Sequence, residues 1–457
     1  MPPRATLGEL LRLSTPVILA RVGIMVMGLV DAVVVGRYSS EELAFHALGW
    51  APTSIVLTTA VGLLAGVQIK TAQRLGEGRR GEAGAVLRRG LVYAFWLGLA
   101  STLLLALLGP PLMHALGLSP ALADGSGRVL QVFAVSMLPY LLSVALSLWL
   151  EALHRPGAGM VIMWLANGVN LVLNLWLVPG SFGVEPMGAV GSAWATFGAR
   201  VVLFVALAAY VLSLKEVRGL GLFRKPPREP VEEAEQRRVG YGAGGSYFVE
   251  VSAFAGMNIV AGWLGALEVA AWAIVLNTTA IVFMIPLGLS AAAGVLVGRA
   301  WGAGDMPGVR HAARLSFAVT VAATGIAALI VWPTAGWIAG AYASDAALAA
   351  LAASALILAP LFFIPDGLQA VAAQALRARA DVLAPTLSHI VCYAVVMLPL
   401  GWALAHPGGL GLTGVMISVI VASFLAAGFL LWRFSHITRH GVRLSREPEP
   451  ANTVSGT

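Results

Sequence analysis

The stretch Met27-Gly28-Leu29-Val30-Asp31-Ala32-Val33-Val34-Val35 places the carboxylate of Asp31 inside the first long apolar run of the chain, Pro16 to Val35. This run is long enough to cross the ~30 Å hydrocarbon core of a bilayer as a helix. An ionised side chain in hydrocarbon is costly unless it faces a cavity, a cation or another partner. The stretch therefore predicts a membrane protein with a functional acid in its first helix.

Composition extends this prediction to the whole chain. Hydrophobic residues make up 58% of the 457 residues and charged residues 11%, whereas about 25% of the residues in a typical soluble domain are charged. We therefore predict an all-α integral membrane protein with twelve transmembrane helices. Runs of spanning length lie near residues 14–36, 43–69, 90–111, 129–152, 158–179, 188–213, 241–264, 269–298, 313–341, 349–376, 383–404 and 411–434.

The basic residues favour one orientation of these helices. If both termini are cytoplasmic, only Arg37 and Arg128 of the 29 Lys and Arg residues fall in predicted outer segments, and only Arg21 and Arg200 fall well inside predicted helices. This is the bias that the positive-inside rule describes. The net charge of +7 then indicates adhesion to anionic inner-leaflet lipid and not binding of nucleic acid. Abundant alanine and the preference for Arg over Lys indicate a bacterial genome, so we expect a multi-pass protein of a bacterial inner membrane.

A polar connection divides the chain into two halves. It contains Lys225-Pro226-Pro227-Arg228-Glu229-Pro230 and further charged residues, a composition typical of a solvated linker. The tail is polar and is predicted to be disordered from about Arg443. We predict four parts: an amino-terminal lobe of six helices at 1–214, the linker at 215–240, a carboxy-terminal lobe of six helices at 241–435, and the tail at 436–457.

The two halves share a sequence pattern. Glu42-Leu43-Ala44 and Gly76-Glu77-Gly78 recur 226 residues later as Glu268-Val269-Ala270 and Gly302-Ala303-Gly304. Six helices per half give both halves the same orientation, so we expect pseudo-symmetric lobes related by a twofold axis along the membrane normal. The pattern predicts a transporter that rocks two lobes around a substrate path.

These segments resemble a known family. The stretch from Met27 to Asp31, followed by Gly36 and Glu42-Leu43-Ala44, is similar to the first-helix signature of MATE (multidrug and toxic compound extrusion) transporters. The eighth helix is similar to the same family over Leu276–Pro286 and again from Val297 to Asp305. The resemblance covers residues from about 8 to 435 and implies the MATE fold. It is closest to the NorM-like branch, because acids are present in both the seventh and the tenth helix.

The resemblance implies one polar site in the amino-terminal lobe. It consists of Asp31, Asn170, Asn174 and Thr196. Asn170 and Asn174 are four residues apart and share one helix face. A coupling proton or a sodium ion is implied at Asp31.

The resemblance implies a second cation site in the carboxy-terminal lobe, again for H+ or Na+. Its acids are Glu250 and Asp366, with Asn277, Phe362 and Gln369 as supporting residues. Two positions depart from the family pattern. Phe362 occupies the place of a cation-binding tyrosine found in some members, and Leu296 replaces a common arginine.

The residues themselves also favour exchangeable charges in this half. Glu250 lies about eight residues beyond the predicted inner end of the seventh helix, ~12 Å deep at 1.5 Å per residue, and Asp366 lies well inside the tenth. No Lys or Arg in the predicted helix interiors of this half is available to neutralise them. The acids must therefore bind a proton, an inorganic cation or a cationic substrate. Competition between a proton and an organic cation for one negative charge is sufficient for antiport.

Structural explanations stay open for each candidate residue. Asp31 lies near the predicted outer end of its helix, where a carboxylate can reach the interface. Glu250 or Asp366 can be a protonated packing residue. Asparagines commonly bond between membrane helices, and threonine often bonds to its own helix backbone.

We predict a secondary active exporter of organic cations or drugs that acts as a monomer, needs no cofactor, and exchanges its substrate for H+ or Na+. Two alternatives are open. A lipid-linked precursor flippase of the same wider superfamily would need a basic central cavity for its anionic headgroup. An integral-membrane enzyme would need clustered catalytic residues, but the eight histidines are scattered singly and form no metal or nucleophile spacing.

Overall fold

The computed structural model describes residues 4–180, 183–223, 229–343 and 345–439, and in these residues every regular element is a helix. Residues 224–228 of the predicted linker and residues 440–457, which include the segment predicted to be disordered, lie outside the described residues. The last helix continues to Arg439, so the first four residues of the predicted tail are helical.

The described residues contain eleven helices that are long and apolar enough to span a membrane, and a bent pair that makes a twelfth. This confirms the all-α membrane class predicted from the sequence. The side on which the termini lie stays a prediction. The helices are α1 (Leu7–Tyr38), α2 (Ser40–Gly76), α3 (Arg80–Ala115), α4 (Pro120–Ala152), α5 (Pro156–Leu177), α6 (Gly188–Ser213), α7 (Pro230–Leu264), α8 (Ala266–Gly302), α9 (Met306–Tyr342), α10 (Ala346–Leu358 and Pro360–Ala378), α11 (Leu383–Ala405) and α12 (Gly411–Arg439).

Two of these spans depart from regular helix close to candidate residues. The halves of α10 meet at 51°, and the second half begins at Pro360, whose ring removes a backbone donor and disfavours a straight helix. Within α11, Ile390–Met397 forms a π-helix. Such segments are rare and often lie at functional sites.

The helix α7 begins earlier than the apolar pattern predicts. It starts at Pro230 rather than near 241, so residues 230–240 of the predicted linker are helical. Proline suits the first helical position because its fixed φ is already helical. Glu232 and Glu233 in the first turn interact favourably with the helix dipole. The charges that predicted a solvated linker thus stabilise the start of a helix.

The chain separates into two compact units. The amino-terminal unit comprises Thr15–Gln68 and Gly81–Phe248, and the carboxy-terminal unit comprises the described residues of Met1–Ser14, Ile69–Arg80 and Val249–Thr457. Each unit has its own buried apolar core, around Trp149 in the first and around Trp272 in the second. The boundaries of the lobes and linker given by the sequence stay predictions.

Small residues allow close helix packing within the amino-terminal unit. A Cβ atom added at Gly62 of α2 would lie 2.7 Å from the Cα atom of Gly244 in α7. No side chain larger than hydrogen fits there without a shift of one backbone. Glycine therefore permits contact between the two backbones, as is common in membrane helix pairs.

Two buried polar sites

The amino-terminal unit contains a buried carboxylate with three side-chain donors. Oδ1 of Asp31 accepts hydrogen bonds from Nδ2 of Asn170 (3.0 Å) and Nδ2 of Asn174 (2.7 Å). Oδ2 of Asp31 accepts a hydrogen bond from Oγ1 of Thr196 at 2.6 Å. All four side chains are buried, and Asp31 is only 3% exposed. The structure thus brings together the four residues named for this lobe. Their role stays a prediction.

Local structure explains how α5 and α6 present these donors. Asn170 and Asn174 lie one turn apart on α5, and Thr196 lies on α6. The two helices are joined by a connection in which Met187 N–H donates to Leu177 O at 3.1 Å. At the start of α6, Ala189 N–H donates to Oε2 of Glu42 at 2.7 Å. A carboxylate at this position satisfies a backbone donor that has no partner within the helix.

Two side-chain oxygen atoms of this site accept no hydrogen bond within the described residues. The Asp31 carboxylate accepts from all three partners. Oδ1 of Asn170 and Oδ1 of Asn174 are buried and accept no hydrogen bond within the described residues. Buried polar atoms usually have partners. Carboxylate, amide and hydroxyl oxygens together are ligands that hard cations prefer.

Two basic residues near Asp31 were not assigned to this site by the sequence. Arg200 is 4% exposed. Its Nη1 donates to Oγ of Ser136 at 2.7 Å, and its guanidinium lies 4.6 Å from the ring centroid of Tyr140. His46 is also buried and packs edge-on against Phe133. Both residues interact electrostatically with Asp31, and each also contacts other side chains of this unit. A basic residue within a predicted helix was the available signal for Arg200.

The carboxy-terminal unit contains a second site built from three helices. Glu250 lies on α7, Asp366 on the second half of α10, and His389 and Tyr393 on α11. Nδ1 of His389 is 3.7 Å from Oε2 of Glu250, with 2% and 14% of the two side chains exposed. Tyr393 Oη donates to Oδ1 of Asp366 at 3.4 Å. Gln369 Nε2 donates to the same oxygen at 3.4 Å.

The supporting residues named for this lobe have different surroundings. Gln369 contacts Asp366, as described above. Phe362 is buried and packs edge-on against Phe363, with ring centroids 5.5 Å apart. Asn277 is exposed, and its Nδ2 donates to Ala273 O of its own helix at 2.9 Å. The structure therefore brings Gln369, but not Asn277, into contact with an acid of the site.

His389 and Tyr393 were missed by the sequence interpretation. The sequence has no Lys or Arg in the predicted helix interiors of this half, and its histidines are scattered singly. The available signal was their spacing: two polar-tipped residues four apart, one helical turn, in an otherwise apolar run. Tyr393 supplies Asp366 with a phenolic hydroxyl, which Phe362 lacks.

Comparisons with known proteins agree with this architecture. The sequence model of the MatE family matches residues 16–176 and 243–403, so it matches each half of the chain once. This is the duplication that the sequence predicts. The chain is 56% identical over 433 residues to the "Probable multidrug resistance protein NorM" of Caulobacter vibrioides, with 95% of this chain and 92% of that protein covered. It is 31% identical to the multidrug resistance protein PmpM of Pseudomonas aeruginosa, with 99% and 97% covered.

Solved structures show the same fold. An outward-facing multidrug resistance MATE family transporter of the MOP superfamily superposes with a TM-score of 0.87 at 21% identity, covering 94% of this chain and 96% of that chain. The eukaryotic MATE transporter AtDTX14 superposes with a TM-score of 0.85 at 18% identity, covering 95% and 98%. The matched halves, the shared fold and the similarity along nearly the whole sequence lead to one conclusion: the chain belongs to the MATE family and is a transporter, not an enzyme.

Proposed function

We propose that this chain exports organic cations, including drugs, from a bacterial cell across its inner membrane in exchange for H+ or Na+. Multidrug efflux is the function of its family. Cation coupling is supported by the buried Asp31 carboxylate, which accepts hydrogen bonds from three side chains. The amide oxygens of Asn170 and Asn174 beside it accept none within the described residues. A monomer is sufficient for this proposal, because each polar site is complete within one chain.

The arrangement around Asp31 can accommodate either coupling ion. A sodium ion can take oxygen ligands from the Asp31 carboxylate, the amides of Asn170 and Asn174, and the hydroxyl of Thr196. A proton on Asp31 turns the carboxyl into a donor. Rotation of the amide of Asn170 or Asn174 then gives that donor an oxygen acceptor. In both cases one negative charge is neutralised, and at least one of the amide oxygens that lack a donor gains a partner.

Exchange follows from competition for a limited number of buried charges. An organic cation is stabilised by the ionised carboxylates, because a charge in a low-dielectric interior interacts strongly with its counter-charge. Arrival of H+ or Na+ removes that attraction and favours release of the substrate. A transported cation and a coupling cation therefore exclude each other without a direct contact between them.

The carboxy-terminal site provides a second group of exchangeable charges. Glu250 and Asp366 carry two negative charges when both are ionised, and a protonated His389 at 3.7 Å from Glu250 offsets one of them. The acidic character of both sites favours a cationic substrate over the anionic headgroup that a flippase would carry.

Transport by the purified chain in liposomes tests this proposal. Ethidium serves as the organic cation, and proton and sodium gradients are imposed separately. We expect one of these gradients to drive ethidium uptake, and Asp31→Asn to abolish the stimulation, because the variant cannot carry the exchangeable charge.

Asp124→Asn is the matched control, because the Asp124 side chain is 62% exposed and lies beside His114. It should transport ethidium at the rate of the unaltered chain. Gradient-driven transport that persists in a correctly inserted Asp31→Asn variant would contradict the role of Asp31. Absence of transport under either gradient in the unaltered chain would contradict cation-coupled export itself.

A further inference from the structure

A cleft with both basic and apolar walls lies in the amino-terminal unit, between the start of α3 and the start of α7. It contains about 920 Å³ of space, part of which is open to the surroundings. Its lining residues are Arg88, Arg89, Val92, Tyr93 and Trp96 from α3, and Glu233, Gln236 and Arg237 from α7. None of these residues belongs to either polar site described above.

The walls of the cleft are held in place by contacts of buried residues. Gln236 is 7% exposed, and its Nε2 donates to Val86 O at 3.2 Å. Gly66 of α2 lies against the backbone of Gln236 so closely that a Cβ atom would meet its carbonyl oxygen. Nη2 of Arg89 is 2.9 Å from Oε2 of Glu229, just before α7 begins. The cleft is therefore a formed feature of the packed helices.

The charges of the cleft leave an excess of positive charge. Arg89 pairs with Glu229, and Arg237 lies 3.8 Å from Glu233. Within the described residues, the acceptors of Arg88 are main-chain oxygens of Gly221 and Leu222. Three guanidinium groups thus face two carboxylates. The adjacent cations Arg88 and Arg89 also repel each other, so an anion placed beside them is stabilised.

The apolar wall continues directly from the basic one. Val92 and Trp96 are each 61% exposed and lie one and two turns along α3 from Arg88, on the same face. Tyr93 lies between them along the helix. Tryptophan and tyrosine are enriched where membrane proteins cross the interface between headgroups and acyl chains. The cleft therefore passes from cationic residues to aliphatic and aromatic ones along α3, which suits an anionic headgroup followed by an acyl chain.

We propose that this cleft binds an anionic phospholipid, with the phosphate against Arg88 and Arg89 and an acyl chain along Val92 and Trp96. Basic pockets between transmembrane helices are suited to anionic headgroups. The phosphate accepts hydrogen bonds from guanidinium groups. The acyl chain covers the apolar surface of Val92 and Trp96, which is exposed in the protein alone. Glu229 pairs with Arg89 and Glu233 pairs with Arg237, so the excess positive charge is small. The proposal therefore concerns a single bound lipid.

Native mass spectrometry of the full chain in detergent measures this binding. Phosphatidylglycerol is titrated against phosphatidylcholine, which has the same phosphate but no net charge. We expect one phosphatidylglycerol to bind preferentially, and Arg88→Gln/Arg89→Gln to weaken that binding by about fivefold for each arginine removed. Arg238→Gln is the matched control, because Arg238 is exposed on α7 and outside the cleft. Its lipid binding should not change.

The double substitution could prevent folding, because Arg88 also donates a hydrogen bond to the main-chain oxygen of Gly221. A second variant therefore tests the cleft without changing Arg88. Arg237→Gln removes a side chain that is 41% exposed, and it should weaken phosphatidylglycerol binding by about fivefold. The proposal would be overturned if Arg237→Gln and the double variant both fold and both bind phosphatidylglycerol as tightly as the unaltered chain. Displacement of the lipid by excess inorganic phosphate would overturn it too, because it would identify a site for free phosphate.

Fluorescence locates the lipid at the cleft. Brominated acyl chains quench nearby tryptophan, and the contribution of Trp96 is the difference between the unaltered chain and Trp96→Phe. We expect brominated phosphatidylglycerol to quench this contribution more than brominated phosphatidylcholine does at the same mole fraction. Equal quenching by the two lipids would show that no selective site exists there. Neither measurement depends on transport, so the outcome is independent of the proposed export function.

Discussion

A proton on His389 changes the charge of the carboxy-terminal site, because the ring lies 3.7 Å from the Glu250 carboxylate in a buried position. The other ionisable groups at this site are Asp366 and Tyr393, and Arg377 contributes electrostatically to Glu250. When His389 is protonated, it competes with an arriving cation for the same carboxylate. When it is neutral, the full charge of the acids is available to that cation.

Substitution of His389 by glutamine should alter how cation binding depends on pH. Glutamine keeps hydrogen-bonding atoms but cannot take up a proton. While the His389 ring of the unaltered chain is protonated, we expect His389→Gln to bind ethidium about tenfold more tightly, because a repelling charge is absent. The two affinities should converge as the pH rises and the ring loses its proton. Equilibrium binding in detergent, measured by ethidium fluorescence over a series of pH values, checks the prediction.

His114→Gln is the control for this experiment, since the His114 side chain is 54% exposed and pairs with Asp124 at the surface. Its ethidium affinity should follow that of the unaltered chain throughout the pH series. A parallel shift of His389→Gln at all pH values would mean that the ring acts only through packing.

Individual site residues were predictable from the sequence to different degrees. Acids and asparagines in apolar runs are conspicuous, and the structure places Asn170, Asn174 and Thr196 within hydrogen-bond distance of Asp31. Tyr393 and His389 were not found, because histidine and tyrosine occur in membrane helices for several reasons and their sequence neighbours are apolar. Only the packing of α7, α10 and α11 shows which acids they meet.

At the scale of helices, the contact of α2 with α7 depends on the absence of a side chain at Gly62. Gly62→Ala places a Cβ atom 2.7 Å from a backbone atom of Gly244, so the helices must separate. Overpacking of this kind costs about 1–3 kcal/mol. We expect the melting temperature in detergent to fall by a few °C, as measured by the loss of the monodisperse peak in size-exclusion chromatography after heating.

Gly168→Ala provides the comparison, because an added Cβ atom at Gly168 of α5 meets nothing within 4 Å. Alanine favours helix over glycine by about 1 kcal/mol, so this variant should be at least as stable as the unaltered chain. Equal melting temperatures for both alanine variants would show that the α2–α7 contact can relax without cost.

The helices themselves were predictable because hydropathy reports which residues avoid water. Their ends were less predictable. The amphipathic start of α7 at Pro230 is polar enough to be interpreted as a linker, and it is helical because Gln236 packs against α2 and α3. The π-helix at Ile390–Met397 and the interruptions of other spans depend on side-chain packing that hydropathy does not report.

For the whole molecule, the internal duplication was visible as repeated short motifs, and the family match to both halves agrees with it. The orientation in the membrane stays a prediction from the basic residues, and labelling of single cysteines tests it. The natural chain has one cysteine, Cys392, which is buried, so Cys392→Ala gives a background without thiols.

In that background we expect Leu116→Cys, between α3 and α4, to react with an impermeant maleimide added to intact cells. Leu116 is 58% exposed. His436→Cys, exposed near the end of α12, should react only after the membrane is opened, because the predicted carboxy terminus is cytoplasmic. The reverse pattern would mean that the chain has the opposite topology.

The bend in α10 has a consequence for how the chain is made. Its first half, Ala346–Leu358, has 13 residues and is about 20 Å long, too short to span a bilayer by itself. Its second half carries Asp366, Gln369, Gln374 and Arg377. These polar side chains make it costly to insert this half into the bilayer by itself. The second half packs on α8 and α9, which leave the ribosome first. Biosynthesis of the carboxy-terminal unit should therefore be ordered, with α10 retained beside the translocon until these earlier helices are there to receive it.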